Sequence, residues 1–333
     1  MKAVLFNDQQ IMLVTPSDPE PAPNEALLRP LVAGICQTDI ELFNGYYNFQ
    51  GIPGHECVAE VISCPAKPDY VGKRVVVDIN IGCGDCPTCQ HNDPHHCHHR
   101  QVLGIKHKDG VFAEMFTAPL TNLYLVPDTI PDHVAVFTEP LAAALAIQTQ
   151  LHVPDNATVA VLGDGKLGLL ISLALKEKFP NLVLIGKHPN KLAIAARHGI
   201  TTELLEFKNT SQLLQQYQQH FSVIVEATGR PNGLDMALAL VAPRGTIVLK
   251  TTSHQLSEVN LSQLVVNEIK LIGSRCGQMN EALQFLENHT LDTELLIEAR
   301  YPFQQFQRAF QHAMQRGSKK VLIDFPSGAN PTQ

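Results

Sequence analysis

Basic charge, long apolar runs and internal repeats are all scarce in this chain. Its 333 residues hold 25 Lys plus Arg against 32 Asp plus Glu, a formal net charge of −7, and the basic residues run together as dipeptides at most. That excludes the broad basic face that nucleic-acid binding requires. A membrane-spanning helix needs roughly 18 uninterrupted apolar residues, and the longest run, residues 167–175, is half that. Residues 1–6 carry a single Lys before Asp8, which does not read as a secretion signal and predicts a cytoplasmic protein without membrane partners. Neither a repeat nor a low-complexity tract is found. With 44% hydrophobic and 17% charged residues, disorder is excluded, and the length suits two domains of roughly 150 residues each.

Cysteine is present and clustered. Eight occur, at 36, 57, 64, 83, 86, 89, 97 and 276. Cys83, Cys86, Cys89 and Cys97 follow a C-x2-C-x2-C-x7-C spacing within fifteen residues of a loop rich in Gly, Asp, Pro and Asn. Four thiolates on so short a loop suit a closed tetrahedral zinc site, which holds a segment too polar to fold by burial. An iron–sulfur cluster is the rival, because ferredoxins share the first spacings, and His95, His96, His98 and His99 are competing ligands. A sparser set comprises Cys36 in GICQTD, His55 and Glu56 in GHE, and Glu139 in TEP. Such S, N and O donors are accepted by zinc, and three of them leave a fourth position for water or substrate.

The two halves are patterned differently. Up to about residue 150, short β segments (2–6, 25–31, 57–63, 73–78) alternate with Pro- and Gly-rich turns, predicting a compact β domain with irregular insertions. After a helix over 140–151, the pattern alternates strands (158–162, 182–185, 223–226, 246–250, 269–272) with helices (166–178, 190–198, 211–220, 232–240). That predicts a parallel sheet covered on both faces. Residues 299–324 read as strand, helix and strand returning to the first domain.

Residues 158–168, TVAVLGDGKLG, run from a strand into a helix with Gly163, Gly165 and Gly168 at the junction. Gly163 allows the tight turn, Gly165 lets backbone N–H groups approach a pyrophosphate together with Lys166 and Leu167, and Gly168 lets helix pack on strand. NAD-binding versions carry an acid at the end of the second strand. Here that strand ends Gly186, Lys187, His188. Lys187 attracts a 2′-phosphate that a carboxylate would repel, so NADP(H) is expected ahead of NAD(H), with His188 or Lys191 adding to it. The competing reading is a solvated loop with NAD bound adequately without the acid.

These segments resemble the zinc-dependent medium-chain alcohol and polyol dehydrogenases of the medium-chain dehydrogenase/reductase superfamily, over nearly the whole chain and in that family's order. The resemblance implies an α/β protein with a GroES-like β-rich catalytic domain over 1–150, to which 290–333 return, and a Rossmann doubly wound coenzyme domain over 151–289, with substrate in the cleft between. It makes Cys36, His55 and Glu139 the catalytic-zinc ligands and Glu56 a neighbouring or transient one. Cys83, Cys86, Cys89 and Cys97 become the structural-zinc ligands, giving two zinc ions per chain. Thr38 matches the hydroxyl that relays the substrate proton, Asp39 the carboxylate that orients the histidine ligand, and Thr228 and Gly229 the turn near the nicotinamide. Glu41 stands where many members carry a relay histidine. The implied reaction interconverts a polyol, sugar or related alcohol with its carbonyl in a homodimer or homotetramer. The alternative is a catalytically silent nucleotide-binding regulator on the same fold, which the retention of Cys36, His55 and Glu139 opposes.

Overall fold

The computed structural model describes residues 1–7, 9–154, 156–252, 258–289 and 291–326. Of the expected 290–333 return segment, residues 290 and 327–333 lie outside the described residues. The chain divides into two compact units, Met1–Glu139 with Met279–Gln333, and Pro140–Gln278.

The first unit is built on a seven-stranded sheet. Its path runs Leu123–Leu125, Arg74–Val77, Glu56–Ser63, Glu25–Ile35, Lys320–Asp324, Ile297–Pro302, with Phe116–Pro119 also pairing the long strand. Pairing is antiparallel except between the last two strands, which run parallel across the helix Phe306–Ala313. That helix buries Phe306, Ala309, Phe310 and Ala313, spaced at i, i+3, i+4 and i+7, so one stripe faces the core. Phe310 meets Phe6 edge to face at 5.3 Å between ring centres, and Phe306 lies 4.7 Å from Phe112. The C-terminal segment is thus part of the first unit's core. The return of residues 299–324 as strand, helix and strand is what the sequence pattern predicts.

The second unit carries a six-stranded parallel sheet in the order Thr201–Leu204, Val183–Gly186, Val159–Leu162, Phe221–Glu226, Val241–Leu249, Lys270–Gly273. Numbered along the unit this is 3-2-1-4-5-6, the doubly wound dinucleotide-binding order. Every residue of Val159–Leu162 and Val183–Gly186 is buried, as strands covered on both faces require. The glycine loop follows the first strand, next to the point where the strand order reverses.

Among the elements that escaped the sequence pattern, three are informative. Thr201–Leu204 and Gln10–Val14 are short edge strands with exposed or half-buried side chains, so neither shows a clean alternation. The helix Met279–Asn288 does carry a readable stripe, Met279, Ala282, Leu283 and Leu286 being buried.

Candidate functional site

Cys36 stands between the long strand Glu25–Ile35 and the helix Gln37–Phe43. Asp39, in that helix's first turn, accepts the Cys36 N–H through Oδ2 at 2.8 Å and sets Oδ1 3.3 Å from His55 Nδ1. Asp39 and His55 are both buried. Burial penalises the charged imidazole, yet the Asp39 carboxylate and Cys36 outweigh that, holding the His55 pKa well above its ordinary value. The turn that delivers His55 depends on Gly54: its φ is +97°, and a Cβ there would meet the Phe112 ring at 2.8 Å. Val111 N–H donates to the Gly54 carbonyl at 3.0 Å and holds the turn.

The ligand-type atoms of Cys36, His55 and Glu56 all lie within 4.8 Å of one another. Glu56 is 1% exposed. Its Oε2 accepts a hydrogen bond from Lys320 Nζ at 2.5 Å, while Oε1 has no partner among the described residues. An orphaned buried acceptor of this kind is costly unless something else satisfies it. Gly34 makes the pairing possible, because a Cβ there would run into Glu56 Oε2. Glu139, at the start of the helix Thr138–Gln150, is not in this gathering. Burial pushes its carboxyl up to about 7; His55 and Lys320 pull the other way, and Glu56 and Asp78 reinforce the rise. Thr38 places Oγ1 3.7 Å from Cys36 Sγ. Glu41 accepts a hydrogen bond from Gln37 Nε2 one helical turn back, at 3.1 Å.

Cys83, Cys86, Cys89 and Cys97 form a second gathering. Cys97 Sγ lies 3.5 Å from Cys83 Sγ and 3.7 Å from Cys86 Sγ. Zinc–thiolate bonds of about 2.3 Å separate the sulfurs of a tetrahedron by about 3.8 Å, whereas a disulfide needs about 2.05 Å. All eight cysteines are free. The neighbouring histidines turn elsewhere. His95 is buried with Nε2 2.7 Å from Asp78 Oδ2, His96 pairs with Asp93, and His98 and His99 are exposed.

In the second unit, Gly163 has φ +107° and a Cβ on it would meet the Ala227 carbonyl oxygen at 2.5 Å; one on Gly168 would strike the Gly163 carbonyl. Gly165 faces open space and opens the helix Lys166–Leu175 without a side-chain capping hydrogen bond. Lys166 and Leu167 are half-buried in its first turn. Thr228 donates its N–H and Oγ1–H to Glu226 Oε1 at 2.8 and 2.6 Å, and Gly229, at φ +67°, donates its N–H to Thr251 Oγ1 at 2.9 Å. After the second strand Gly186 is buried, Lys187 exposed and His188 half-buried. Lys191 is 3% exposed.

Residues 22–128 match the family model for the alcohol dehydrogenase GroES-like domain, and 168–288 match that for zinc-binding dehydrogenases. The chain belongs to the zinc-dependent medium-chain dehydrogenase family. Within that family it is 29% identical to D-altritol 5-dehydrogenase of Agrobacterium fabrum, over 85% of this chain and 87% of the relative. The short chain alcohol dehydrogenase rspB of Escherichia coli, solved with NADH, superposes with a TM-score of 0.88 at 27% identity, covering 98% of this chain and 99% of that one. A zinc-binding dehydrogenase of Sinorhizobium meliloti solved with NADP gives a TM-score of 0.87 at 25% identity, covering 97% and 98%. The first unit is therefore GroES-like and the second a Rossmann domain.

Three residues of these sites have partners that sequence reasoning misses. Lys320 sits in a Lys-Lys pair that reads as solvated surface, yet it is buried against Glu56, 264 residues away. Asp164 reads as a filler between glycines but is 4% exposed. His95 reads as a competing zinc ligand, and the fold takes it to Asp78 instead.

Proposed function

We propose that the protein is a zinc-dependent alcohol dehydrogenase acting on a polyol or related secondary alcohol with a nicotinamide dinucleotide. The observation that carries this is the gathering of half-buried Cys36 with buried His55 and Glu56 and its unsatisfied Glu56 Oε1, a donor set that zinc accepts. It favours Glu56 as the third protein ligand, ahead of the Glu139 expected from the family pattern. The four-cysteine lobe holds the structural ion. When bound, zinc supplies Lewis acidity that lowers an alcohol's pKa, and the coenzyme accepts the hydride.

The residues divide the remaining work. Asp39 fixes the His55 ring, leaving its other nitrogen for the metal. Thr38, beside Cys36, is placed to take the substrate's hydroxyl proton onward. Glu41, tied to Gln37 on the partly exposed side of its helix, is the candidate for passing that proton out. The glycine loop and the first N–H groups of the helix Lys166–Leu175 hold the pyrophosphate. Glu226 braces the Thr228–Gly229 turn against which the nicotinamide would rest. Exposed Lys187 pulls toward NADP(H) by a few-fold at most, because an exposed pair contributes only about 0–1 kcal/mol, so it does not fix coenzyme choice by itself. The altritol dehydrogenase similarity supports the polyol class.

An absorbance screen of polyols, sugars and simple alcohols with both coenzymes, paired with metal analysis, tests this reading. About two zinc ions per chain and turnover of a polyol are expected, and Cys36→Ser should lose one zinc and all turnover while remaining folded. Full activity after removal of that zinc would refute it.

A further inference from the structure

The acid missing from the end of the second strand is present in space, delivered from the glycine loop. Asp164, between Gly163 and Gly165, is buried at 4% exposure. Its Oδ2 accepts the backbone N–H groups of Lys187 at 2.9 Å and His188 at 2.6 Å, and its Oδ1 lies 2.9 Å from His188 Nδ1. A Cβ built on Gly186 would sit 2.5 Å from both Asp164 Cβ and Cγ. The Asp164 carboxyl group thus fills the volume into which a strand-end side chain would project, and Gly186 is glycine because that volume is taken.

We propose that Asp164 is the residue that sets coenzyme choice in this protein. The inference rests on the dinucleotide site proposed above and names the charge that governs it. A strand-end acid offers open oxygens to the ribose hydroxyls. Asp164 instead has its oxygens engaged by three donors, so it acts on the coenzyme through charge. The adenosine ribose is bound beside the end of the second strand in this fold, which puts a 2′-phosphate close to a buried, poorly screened carboxylate. Lys187, exposed to solvent and salt, attracts the same phosphate more weakly per unit charge. Asp164 therefore opposes NADP(H), which adds a 2′-phosphate beside it, more than NAD(H), which shares only the pyrophosphate.

Asp164→Asn is an isosteric test. Its amide oxygen can accept both backbone N–H groups and its amide nitrogen can donate to His188 Nδ1, so the turn survives and only the charge goes. Binding of NADPH and NADH to the zinc-loaded protein, followed by coenzyme fluorescence without turnover, should show NADPH tightening by about tenfold, the size of one charge–charge contact across a few ångströms of partly solvated protein. NADH, which lacks the 2′-phosphate, should tighten several-fold less. Equal changes in both coenzymes, or none, would overturn the proposal. Gly186→Asp alone should lower thermal stability and weaken both coenzymes, because it collides with Asp164. The pair Asp164→Ala with Gly186→Asp should recover stability and bind NADH in preference. A stable Gly186→Asp variant with native binding would also overturn the proposal. If the native protein binds neither dinucleotide, the reading of the glycine loop itself falls, and Asp164's role with it.

Discussion

At Glu56 a buried carboxylate meets a buried ammonium on one oxygen and, among the described residues, no hydrogen-bond partner on the other. Desolvation works against the charged form of Lys320, and Glu56 more than offsets it, keeping the lysine pKa raised. Half of the carboxylate is thereby neutralised within the protein and half is left for a cation. Glu139 is in a different position, carrying a carboxyl that burial pushes up to about 7. Glu139 also lies outside the gathering of ligand-type atoms that Glu56 shares with Cys36 and His55. Glu56→Gln should therefore cost most of the catalytic-site zinc after dialysis against a mild chelator, whereas Glu139→Gln should keep most of it and lose turnover instead. Zinc content of the two variants decides between them, and the reverse order would return the ligand role to Glu139.

The four-cysteine lobe is an element that burial alone does not hold. Its two short helices, Pro87–Gln90 and Pro94–His96, contain one buried residue between them, His95. Two restraints remain, the sulfurs gathered around a would-be ion and the His95–Asp78 pair at its base. Asp78 also accepts the N–H of Asn80 at 2.9 Å. Cys86→Ser should release one zinc, lower the unfolding midpoint by several degrees and make the lobe the first site of proteolysis, since structural-zinc binding is folding free energy. Calorimetry and limited trypsin digestion read both effects. An unchanged midpoint in the zinc-depleted variant would mean the lobe is held by His95 and Asp78 alone.

On the scale of the whole molecule, the second unit's sheet ends in an unusually apolar edge. Lys270–Gly273 is the last strand in the order, Leu271 on it is 43% exposed, and the preceding helix Leu261–Val266 shows Leu261, Val265 and Val266 at 67%, 76% and 78%. An edge strand with unpaired N–H and C=O groups beside such a patch is a template for pairing. A second copy would satisfy it by two-fold symmetry, strand against strand, the commonest closed arrangement. Sedimentation at micromolar concentration should give a homodimer or homotetramer. Val265→Lys combined with Leu271→Lys should shift it to a smaller species, and a native monomer would refute the pairing.

Local chemistry was legible in the residues themselves. The cysteine spacing, the Gly-x-Gly-x-x-Gly junction and the alternation of apolar strands with helices are short-range patterns, and each leads to one local structure because turns, thiolate clusters and βαβ units are built from neighbours in sequence. The strand–helix–strand pattern of the C-terminal segment was legible for the same reason. What depends on approach between distant residues was not. Which carboxylate joins Cys36 and His55, where Lys320 finds its partner, and which acid lies under Gly186 were decided by tertiary structure. In each case the deciding quantity is the energy of a charge out of water, and that depends on what surrounds it in space.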